Sequence, residues 1–592
     1  MNSGRLVKFL LPILLVSCLA NDPGYAANPP SVAGLYVRLL VKPVESLLEN
    51  QDPRGVFAPP FAARRAGSAI LAENDQMVIY PLAWLYSTKY PGNPYFGDKR
   101  VLEAVKRCGN YLAAFEPASF WPMSHWAVYA WMAAYQQVEQ ELTAEQQRSW
   151  KAGFTRWCTI YAGYLEKTEG KPHLTAVEIG SSPNHYGYYS AAVYLAGKIL
   201  DKPEWCGLAL RAFHALVRTQ NPDGYWAEHA GPVVRYSWLT MDGVGLYYAW
   251  TGDREALEAL RRTKDFLLAF TYPDGSPVAV IDERNRYDSG FTPVRGLMAL
   301  SHFPDGRRFC RVMTEAYLAR IESGELKRLD PVALSRYVDA IKYSEPGEET
   351  AIPQEMKSFD FRLASGAYLM RRGPWTITLS GIISRPWEGN RFFLDRYTYL
   401  EIWHSGTGLV IGGGNTKRQP QISTLLMEPS NSGVDYQPLS SRITAAGDSA
   451  TLELGFETFR GALKVRILDE RKAAFSASYT ELAEPQLWPN RYECNLQLQL
   501  KTGWKIAAGR EAASYTLSEQ RMQVAENALG GSLETDKWRL SVPEGKTSLR
   551  FPFLPFFNYD VDGHGGLSGA VGILSSAERI DQGPLEYLLE IK

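Results

Sequence analysis

The fold is decided around residues 344–350, Ser344-Glu345-Pro346-Gly347-Glu348-Glu349-Thr350, where the hydrophobic period of the chain changes. Before this segment, apolar residues recur at steps of three and four, as in residues 101–112, which is typical of amphipathic helices. After it, apolar and polar residues largely alternate, as in residues 463–468, which is typical of strands. We therefore predict a helical domain over residues 28–345 and an antiparallel β domain over residues 346–592.

The predicted helices follow one another through short turns rich in Gly, Pro, Asn and Asp, such as residues 91–93, 201–203 and 251–253. Helical hairpins in series must bury their inner faces together, either as an open solenoid or as a closed ring. No internal repeat is legible, which counts against the solenoid. The alternating second half predicts a sandwich of twisted antiparallel sheets.

The composition excludes several classes of function. The 592 residues include 63 basic and 64 acidic side chains with no long block of one sign, so the chain lacks an electrostatic footprint for nucleic acid. The six cysteines form no Cys-x-x-Cys pair, and the second half holds essentially His404 and His564 as histidines. Neither a zinc site nor a disulfide framework is indicated, and we expect no metal and no cofactor.

Three aromatic-rich segments carry the chemistry, residues 181–189, 223–236 and 401–406. The first contains Asn184 and His185, the second ends on an Arg-Tyr pair, and the third contains a histidine. An amide and an imidazole can neutralise a sugar carboxylate, and a phenol can transfer a proton. The set indicates β-elimination across a uronic acid without any cofactor.

Each role follows from what β-elimination requires. The proton beside the carboxylate is weakly acidic until that charge is neutralised, and Asn184 and His185 can neutralise it. Tyr236 can take the C5 proton and then protonate the departing O4. A tyrosine base needs positive charge nearby, which Arg235 or His229 could supply. Arg235 could equally bind the substrate carboxylate through two parallel hydrogen bonds.

Plain structural interpretations compete with these roles. Asn184 precedes an apparent helix and could be only its N-cap. His185 could be a hydrogen-bonded histidine at a helix start, and Tyr236 could be a core ring. His404 lies in an aromatic strand, where a histidine is more often structural than catalytic.

In combination, these features resemble the heparinase II/III-like polysaccharide lyases, a group that includes alginate lyases. The resemblance covers about residue 77 to the end and implies an incomplete α/α toroid followed by an antiparallel β-sandwich. It also implies β-elimination on uronic-acid glycans. By similarity, Asn184 and His185 would neutralise the carboxylate, Tyr236 would be acid and base, His404 would reach into the cleft from the sandwich, and Glu228 would support the site.

The same segments hold candidates for contact with an anionic polysaccharide or oligosaccharide. Rings with a polar edge suit stacking on sugar faces, although most such rings in a chain of this size are core. The candidates are Arg235, Glu228, His229, Trp226, Tyr188 and His125.

Two other functions remain open from the residues alone. A glycoside hydrolase on the same helical scaffold would use paired carboxylates, either Glu228 with Asp242 or Asp282 with Glu283. A noncatalytic glycan-binding surface lipoprotein would use the aromatic residues, Trp226 among them, only to hold sugar. The first would leave no double bond in its product, and the second would bind without turnover.

Residues 1–27 are expected to be an export signal and linker. Two basic residues precede an apolar run at residues 9–16 that is too short to span a bilayer. Leu-Val-Ser-Cys, ending at Cys18, resembles a lipoprotein box, and the alternative is cleavage after Ala26 without lipid. We expect a periplasmic or cell-surface protein, with a possible lipid anchor at the membrane.

Replacing Cys18 tests this expectation. In a bacterial host, the wild-type chain should incorporate a labelled fatty acid and fractionate with membranes, whereas Cys18→Ala should do neither, because the thiol is the acceptor of the lipid. Cys206→Ala, which removes a cysteine far from the signal, should label as the wild type does. A mature protein that begins at Ala27 and carries no lipid would contradict the expectation.

Overall fold

A computed structural model describes residues 31–57, 74–116, 123–169, 183–228, 231–282, 296–326, 329–383, 398–413, 419–428, 438–482, 491–509, 513–556, 565–579 and 582–592. Cys18, His229 and Glu283, all named above, lie outside these ranges. No described helix is both long enough and apolar enough to cross a bilayer.

The first half of the chain is helical, as its period of three and four predicts. The helices are α1 (Val32–Val41), α2 (Val44–Glu49), α3 (Ile79–Ser87), α4 (Lys99–Ala114), α5 (His125–Val138), α6 (Ala144–Thr168), α7 (Pro183–Ile199), α8 (Pro203–Arg218), α9 (Val234–Thr251), α10 (Arg254–Ala269), α11 (Leu297–Leu300), α12 (Pro304–Glu322) and α13 (Pro331–Tyr343), with a short α14 (Glu526–Leu529) among the strands. Single turns of 3₁₀ helix lie at Gln76–Val78, Glu139–Glu141, Pro353–Glu355, Pro420–Ile422 and Leu567–Gly569.

The long helices form two concentric layers. The inner helices α3, α5, α7, α9, α11 and α13 contact one another in this order, and α13 returns to α3. Helices α4, α6, α8, α10 and α12 pack in sequence on the outside. The sequence explains this division, because α5 is buried on nearly every side while α4 and α10 bury one stripe and expose the other. The ring, not the open solenoid, is the arrangement found.

A buried ion pair closes the ring at its last helix. Arg336 of α13 is 2 % exposed and donates from Nη1 to Oδ2 of Asp339 at 3.0 Å. The other oxygen of Asp339 accepts from the hydroxyls of Tyr80 at 3.1 Å and Tyr129 at 3.2 Å. Nε of Arg336 lies 3.9 Å from Oδ2 of Asp242 in α9. One charged cluster therefore connects α13 to α3, α5 and α9.

Two glycines let the inner helices α7 and α9 approach closely. A Cβ on Gly243 would lie 3.2 Å from Cα of Gly187, which is closer than nearly all real Cβ contacts. The crossing therefore brings backbone against backbone, with no side chain between the helices. It fixes the position of α9 relative to α7.

The second half is a sandwich of two antiparallel sheets, which confirms the predicted fold class. The strands are β1 (Ser358–Leu363), β2 (Ala367–Arg372), β3 (Trp375–Ser380), β4 (Leu400–His404), β5 (Gly408–Ile411), β6 (Leu426–Glu428), β7 (Ser440–Ala446), β8 (Ser449–Gly455), β9 (Phe459–Ile467), β10 (Lys472–Glu481), β11 (Arg491–Leu498), β12 (Lys505–Ala508), β13 (Ala513–Thr516), β14 (Met522–Val524), β15 (Ser532–Glu534), β16 (Trp538–Ser541), β17 (Thr547–Phe553), β18 (Val571–Arg579) and β19 (Leu585–Ile591).

The two sheets enclose a separate apolar core. The order in the first sheet is β1-β2-β3-β4-β5-β11-β18-β17-β14, with β6 paired to β11. The order in the second is β13-β12-β15-β16-β19-β10-β9-β8-β7. Ile402, Leu496 and Leu574 of the first sheet share one buried cluster with Leu452 and Leu589 of the second. The alternation seen in the sequence therefore corresponds to strands with one face in this core.

Buried polar groups join the first sheet to the helical ring. Glu401 of β4 is fully buried, and its Oε2 accepts from the Tyr272 hydroxyl at 2.8 Å and from the Ala279 backbone N–H at 3.1 Å. Arg371 of β2 donates from Nη2 to the Thr271 carbonyl oxygen at 2.7 Å, and burial lowers the pKa of Arg371 to about 10. Both contacts hold the segment that follows α10 against the sheet.

Breaking the ion pair should destabilise the helical ring. Arg336→Met should lower the free energy of unfolding by about 3–5 kcal/mol, because Asp339 would remain buried without its cation. Urea titration followed by the helical circular dichroism signal would measure the change.

The matched control is Arg254→Met, which removes an exposed arginine at the start of α10. It should change the free energy of unfolding by less than about 0.5 kcal/mol. A double variant, Arg336→Met with Asp339→Asn, should lose less than the sum of the single losses, since the two side chains interact directly. Equal losses for Arg336→Met and Arg254→Met would show that the pair does not hold the ring.

Candidate active site

The N-terminal ends of the inner helices α5 and α7 lie side by side, and the segment that precedes α9 contacts the start of α7. His125 is the first residue of α5, and its ring centroid lies 4.9 Å from that of His185, the third residue of α7. Asn184 of α7 donates to Glu228, which lies six residues before α9 begins. Tyr236 is the third residue of α9. Helix N-termini carry partial positive charge, so this end of the ring suits an anion.

Asn184 and Glu228 form a buried pair. Nδ2 of Asn184 donates to Oε1 of Glu228 at 2.6 Å, and the two residues are 0 % and 1 % exposed. Helix α7 begins at Pro183, so Asn184 lies inside the first turn and its amide is turned to Glu228. This geometry favours a positioned amide over the helix-cap interpretation. Glu228 therefore contacts Asn184, and the supporting role that the resemblance implies for it stays a prediction.

His185 lies in a cluster of aromatic rings. It is half-buried, with its ring centroid 4.8 Å from that of Trp126. His125 is 5 % exposed and packs against the ring of Tyr189 at 4.3 Å. Burial lowers the pKa of His125 well below its usual range, and His185 and Arg336 lower it further. His125 is therefore neutral at physiological pH, and His185 is the more accessible of the two imidazoles.

Arg235 and Tyr236 are both half-buried in the first turn of α9. The start of that helix is fixed from the neighbouring loop, because Oδ2 of Asp282 accepts from the Val234 backbone N–H at 2.8 Å. Asp282 was a candidate acid for a hydrolase, and the structure shows it holding a helix N-terminus instead. Tyr236 therefore extends from a rigid element rather than from a mobile loop.

Burial argues against direct substrate contact by four of the predicted residues, because Glu228 and His125 are 1 % and 5 % exposed and the two rings that follow are no more accessible. Trp226 is 2 % exposed and donates from its indole N–H to the Leu216 carbonyl oxygen at 2.9 Å. Tyr188 is fully buried, with the Arg336 guanidinium 4.3 Å from its ring centroid. We assign both rings to the core of the helical ring, because a stacking platform must expose a face.

His404 is engaged within the sandwich. Its Nδ1 accepts from the Gly406 backbone N–H at 3.0 Å, and its Nε2 lies 3.0 Å from the Glu470 carbonyl oxygen, to which it can only donate. The ring packs edge-on against Trp375 at 4.5 Å, and burial lowers the pKa of His404. Because both nitrogens are bonded to backbone groups, this geometry favours the structural interpretation of His404 over the catalytic one. No contact within the described ranges joins it to Asn184 or His185.

Two residues that organise the site were not predicted from the sequence. Arg336 contacts Tyr188, which lies one helical turn after Asn184. The only sequence pattern that pointed to Arg336 was the Arg-x-x-Asp spacing within the apolar α13. Glu401 belongs to the third aromatic segment, in which His404, three residues later, was the predicted site residue. Within the described ranges, no group of three or more His, Cys, Asp or Glu side chains is placed to hold a metal ion.

Comparison with known proteins supports the fold. Neither protein-family models nor curated protein sequences gave a match. Among solved structures, the chain is similar to the chondroitin AC lyase of Streptomyces coelicolor A3 in complex with chondroitin sulphate, with a TM-score of 0.52, 14% identity, and coverage of 96% of this chain and 80% of that one. It is also similar to a chondroitinase AC lyase studied as oligosaccharide complexes, with a TM-score of 0.51, 12% identity, and coverage of 94% and 82%.

The architecture is therefore that of the polysaccharide lyases built from an α/α toroid followed by an antiparallel β-sandwich, as the sequence predicts. At these identities the likeness shows the fold, and the chemistry has to be argued from the site.

Replacing His125 should change how stability depends on pH. A histidine whose folded pKa is depressed stabilises the folded state above its unfolded pKa of about 6.5, and this contribution is lost as pH falls toward the folded pKa. The wild type should therefore lose up to about 2 kcal/mol relative to His125→Phe between pH 7 and pH 5. Thermal unfolding across this range would measure the difference.

His214→Phe serves as the control, because His214 lies on the outer helix α8 with 37% of its side chain exposed. Its pH profile should follow the wild type more closely than that of His125→Phe does. Parallel profiles for His125→Phe and the wild type would contradict the buried, neutral state of His125.

Proposed function

We propose that this protein is an exported polysaccharide lyase that cleaves a uronic-acid-containing glycan by β-elimination. The observation that carries the proposal is the buried pair of Asn184 and Glu228 beside the half-buried His185, together with the half-buried Arg235 and Tyr236 on the first turn of α9. These are the groups that the reaction needs, on rigid elements at the electropositive end of the ring.

Charge neutralisation falls to Asn184 and His185. The carboxylate of Glu228 fixes the orientation of the Asn184 amide, so the amide is already positioned when substrate binds. Because Asn184 is 0 % exposed and His185 is half-buried, the imidazole and the helix N-termini would contact a uronate carboxylate directly, and the buried amide would stabilise the developing enolate charge at longer range. The C5 proton becomes acidic enough to be removed as a result.

Proton transfer falls to Tyr236. Its phenolate takes the C5 proton, the C4–O4 bond breaks as the C4–C5 double bond forms, and the phenol then protonates the leaving O4. Arg235, next to it on the half-buried first turn of α9, supplies positive charge or binds the carboxylate. His404 has no part in this proposal, since both of its ring nitrogens are bonded within the sandwich.

The fold neighbours support the substrate class. The solved structures with this architecture include a lyase in complex with chondroitin sulphate, an anionic polysaccharide. A carboxylate-bearing glycan is consistent with the amide, imidazole and guanidinium groups at the start of α7 and α9. We propose an anionic polysaccharide or oligosaccharide as the substrate of this chain.

The hydrolase alternative is less favoured by the described contacts. Glu228 is bonded to Asn184, and Oδ1 of Asp242 accepts from the Gly296 backbone N–H at 2.6 Å. Asp282 holds the start of α9. These carboxylates hold other groups in place, whereas an acid and base pair must face a sugar from both sides.

Export is proposed from the sequence. The basic and apolar N-terminal residues and Cys18 support an exported protein with a lipid anchor. An enzyme that degrades an external polymer would be useful at such a location.

Replacing Tyr236 tests the reaction. The mature protein, incubated separately with alginate, hyaluronan, chondroitin, heparan, ulvan and gellan, should raise the ultraviolet absorbance of unsaturated uronate with at least one of them. Tyr236→Phe should lower that rate by about 10²-fold or more, because it removes the only group assigned to proton transfer.

Tyr248→Phe is the matched control, a half-buried tyrosine on the same helix whose ring contacts His302. It should keep most of the activity. New reducing ends without absorbance would point to a hydrolase, and binding without either signal would point to a glycan-capture protein.

A further inference from the structure

One face of the first sheet continues beyond the helical ring. Successive residues of a strand point to opposite faces, and residues directly opposite on neighbouring strands share a face. Leu498 of β11 faces the sandwich core, so its neighbour Gln497 faces outward. Gln497 is opposite Ile573, Ile573 is opposite Arg550, and Arg550 is opposite Gln523. These four residues form a row across β11, β18, β17 and β14.

This row lies on the face that packs against the helices at the other end of the sheet. Trp403 and Leu409, paired across β4 and β5, belong to the apolar core of the helical ring, while Ile402 and Ile411 belong to the core of the sandwich. Ile411 is opposite Leu498, so the two rows of residues continue into β11 without changing face. The sheet face that meets the ring therefore extends to its far edge at β14.

A pocket of about 800 Å³ opens on this extension. It is lined by β14, β17, the 3₁₀ turn Pro420–Ile422 and the turn Leu567–Gly569. Its floor is apolar, because the half-buried Phe553 packs on a small cluster of Ile422, Val571 and Ile573. Leu567 at the wall is 41% exposed. A volume of this size fits a ligand of several rings.

Charged and amide side chains surround the floor. Arg521 is exposed and Arg550 half-buried, and neither forms an ion pair or a side-chain hydrogen bond with any residue in the described ranges. One acid, Glu519, also lines the pocket, so the two arginines leave it with a net positive charge. Gln421 and Gln523 are exposed amides at the same pocket.

We propose that this pocket, defined by Arg521, Arg550, Gln421, Gln523 and Phe553, is a second binding site for an anionic glycan. Unpaired guanidinium groups bind carboxylate or sulfate as forks, amides bond to hydroxyls, and a half-exposed ring packs on a sugar face. The site would hold a distant part of the polymer while another part occupies the candidate active site. It rests on the proposed function for its ligand class.

Charge complementarity decides between glycan and other occupants. A second copy of the chain would offer this pocket a surface of nearly balanced charge, 63 basic against 64 acidic residues. A polyuronate or sulfated glycan offers an acidic group on every repeat, together with the hydroxyls that the amides need. The anionic glycan matches all three kinds of side chain at the pocket.

The test measures binding without turnover. Full-length Tyr236→Phe protein would be titrated by calorimetry with size-defined hexasaccharides of chondroitin sulfate, heparan sulfate and alginate. With the glycan that binds, we expect two hexasaccharides per chain. Adding Arg521→Ala and Arg550→Ala should abolish one of them or weaken it by about ten-fold or more, because charge-assisted hydrogen bonds are lost.

The matched control adds Arg460→Ala and Arg466→Ala instead, which removes two exposed arginines from β9 of the other sheet. This variant should keep both binding events, and a neutral dextran hexasaccharide should not bind the pocket. The same stoichiometry and affinity in all three proteins, or equal losses in the control, would overturn the proposal.

The two proposals fail in different measurements. Absence of unsaturated product from every glycan, with the arginine-dependent binding intact, would remove the lyase reaction and leave this site. Unsaturated product with one arginine-independent hexasaccharide per chain would leave the lyase and remove this site.

Discussion

The buried ion pair of Arg336 and Asp339 is the interaction on which the helical ring depends. A buried charge is costly unless it is paired, and Asp339 accepts from Arg336, Tyr80 and Tyr129, whereas Nε and Nη2 of Arg336 have no hydrogen-bond partner among the described residues. The guanidinium also lies over the ring of Tyr188. Each of these partners is on a different inner helix, so the cluster is satisfied only when the last helix of the ring meets the earlier ones. Asp339 therefore reaches its two tyrosine partners only when the ring is closed.

Ring closure positions the candidate site, and the sandwich reinforces it. Glu401 in β4 holds the Ala279 backbone N–H, and three residues later Asp282 holds the Val234 N–H at the start of α9. This short chain of contacts connects the sheet to the turn that carries Tyr236. The close crossing at Gly187 and Gly243 then fixes α9 against α7, which carries the asparagine and histidine. The described contacts that join the sandwich to the site therefore run through Glu401 and backbone groups, and His404 is bonded within the sandwich.

Much of this could be predicted from the sequence, and the reason differs from residue to residue. The change of period near residue 345 predicted helices followed by strands, because burial of one face imposes a period on each kind of element. Asn184, His185 and Glu228 were found because they lie in short segments with unusual combinations of amide, imidazole and carboxylate. Trp226 and Tyr188 were predicted as sugar contacts but are buried, since a ring in the core and a ring in a cleft have the same sequence signature. Arg336 was missed because, apart from Asp339, its contacts are with Tyr129, Tyr188 and Asp242, which lie about 90 to 210 residues away along the chain, and no local pattern reveals them.

The sequence by itself determined the order and type of the elements, the balanced charge, and the groups available for acid, base and carboxylate chemistry. The tertiary structure alone decided which of these groups meet. It paired Asn184 with Glu228, placed the His125 ring beside that of His185, and enclosed His404 between two backbone groups of the sandwich. The physical reason is that periodicity is a local consequence of burial, whereas a site is formed by contacts between helices and strands far apart in the chain. Only the closed ring and the docked sheet set those distances.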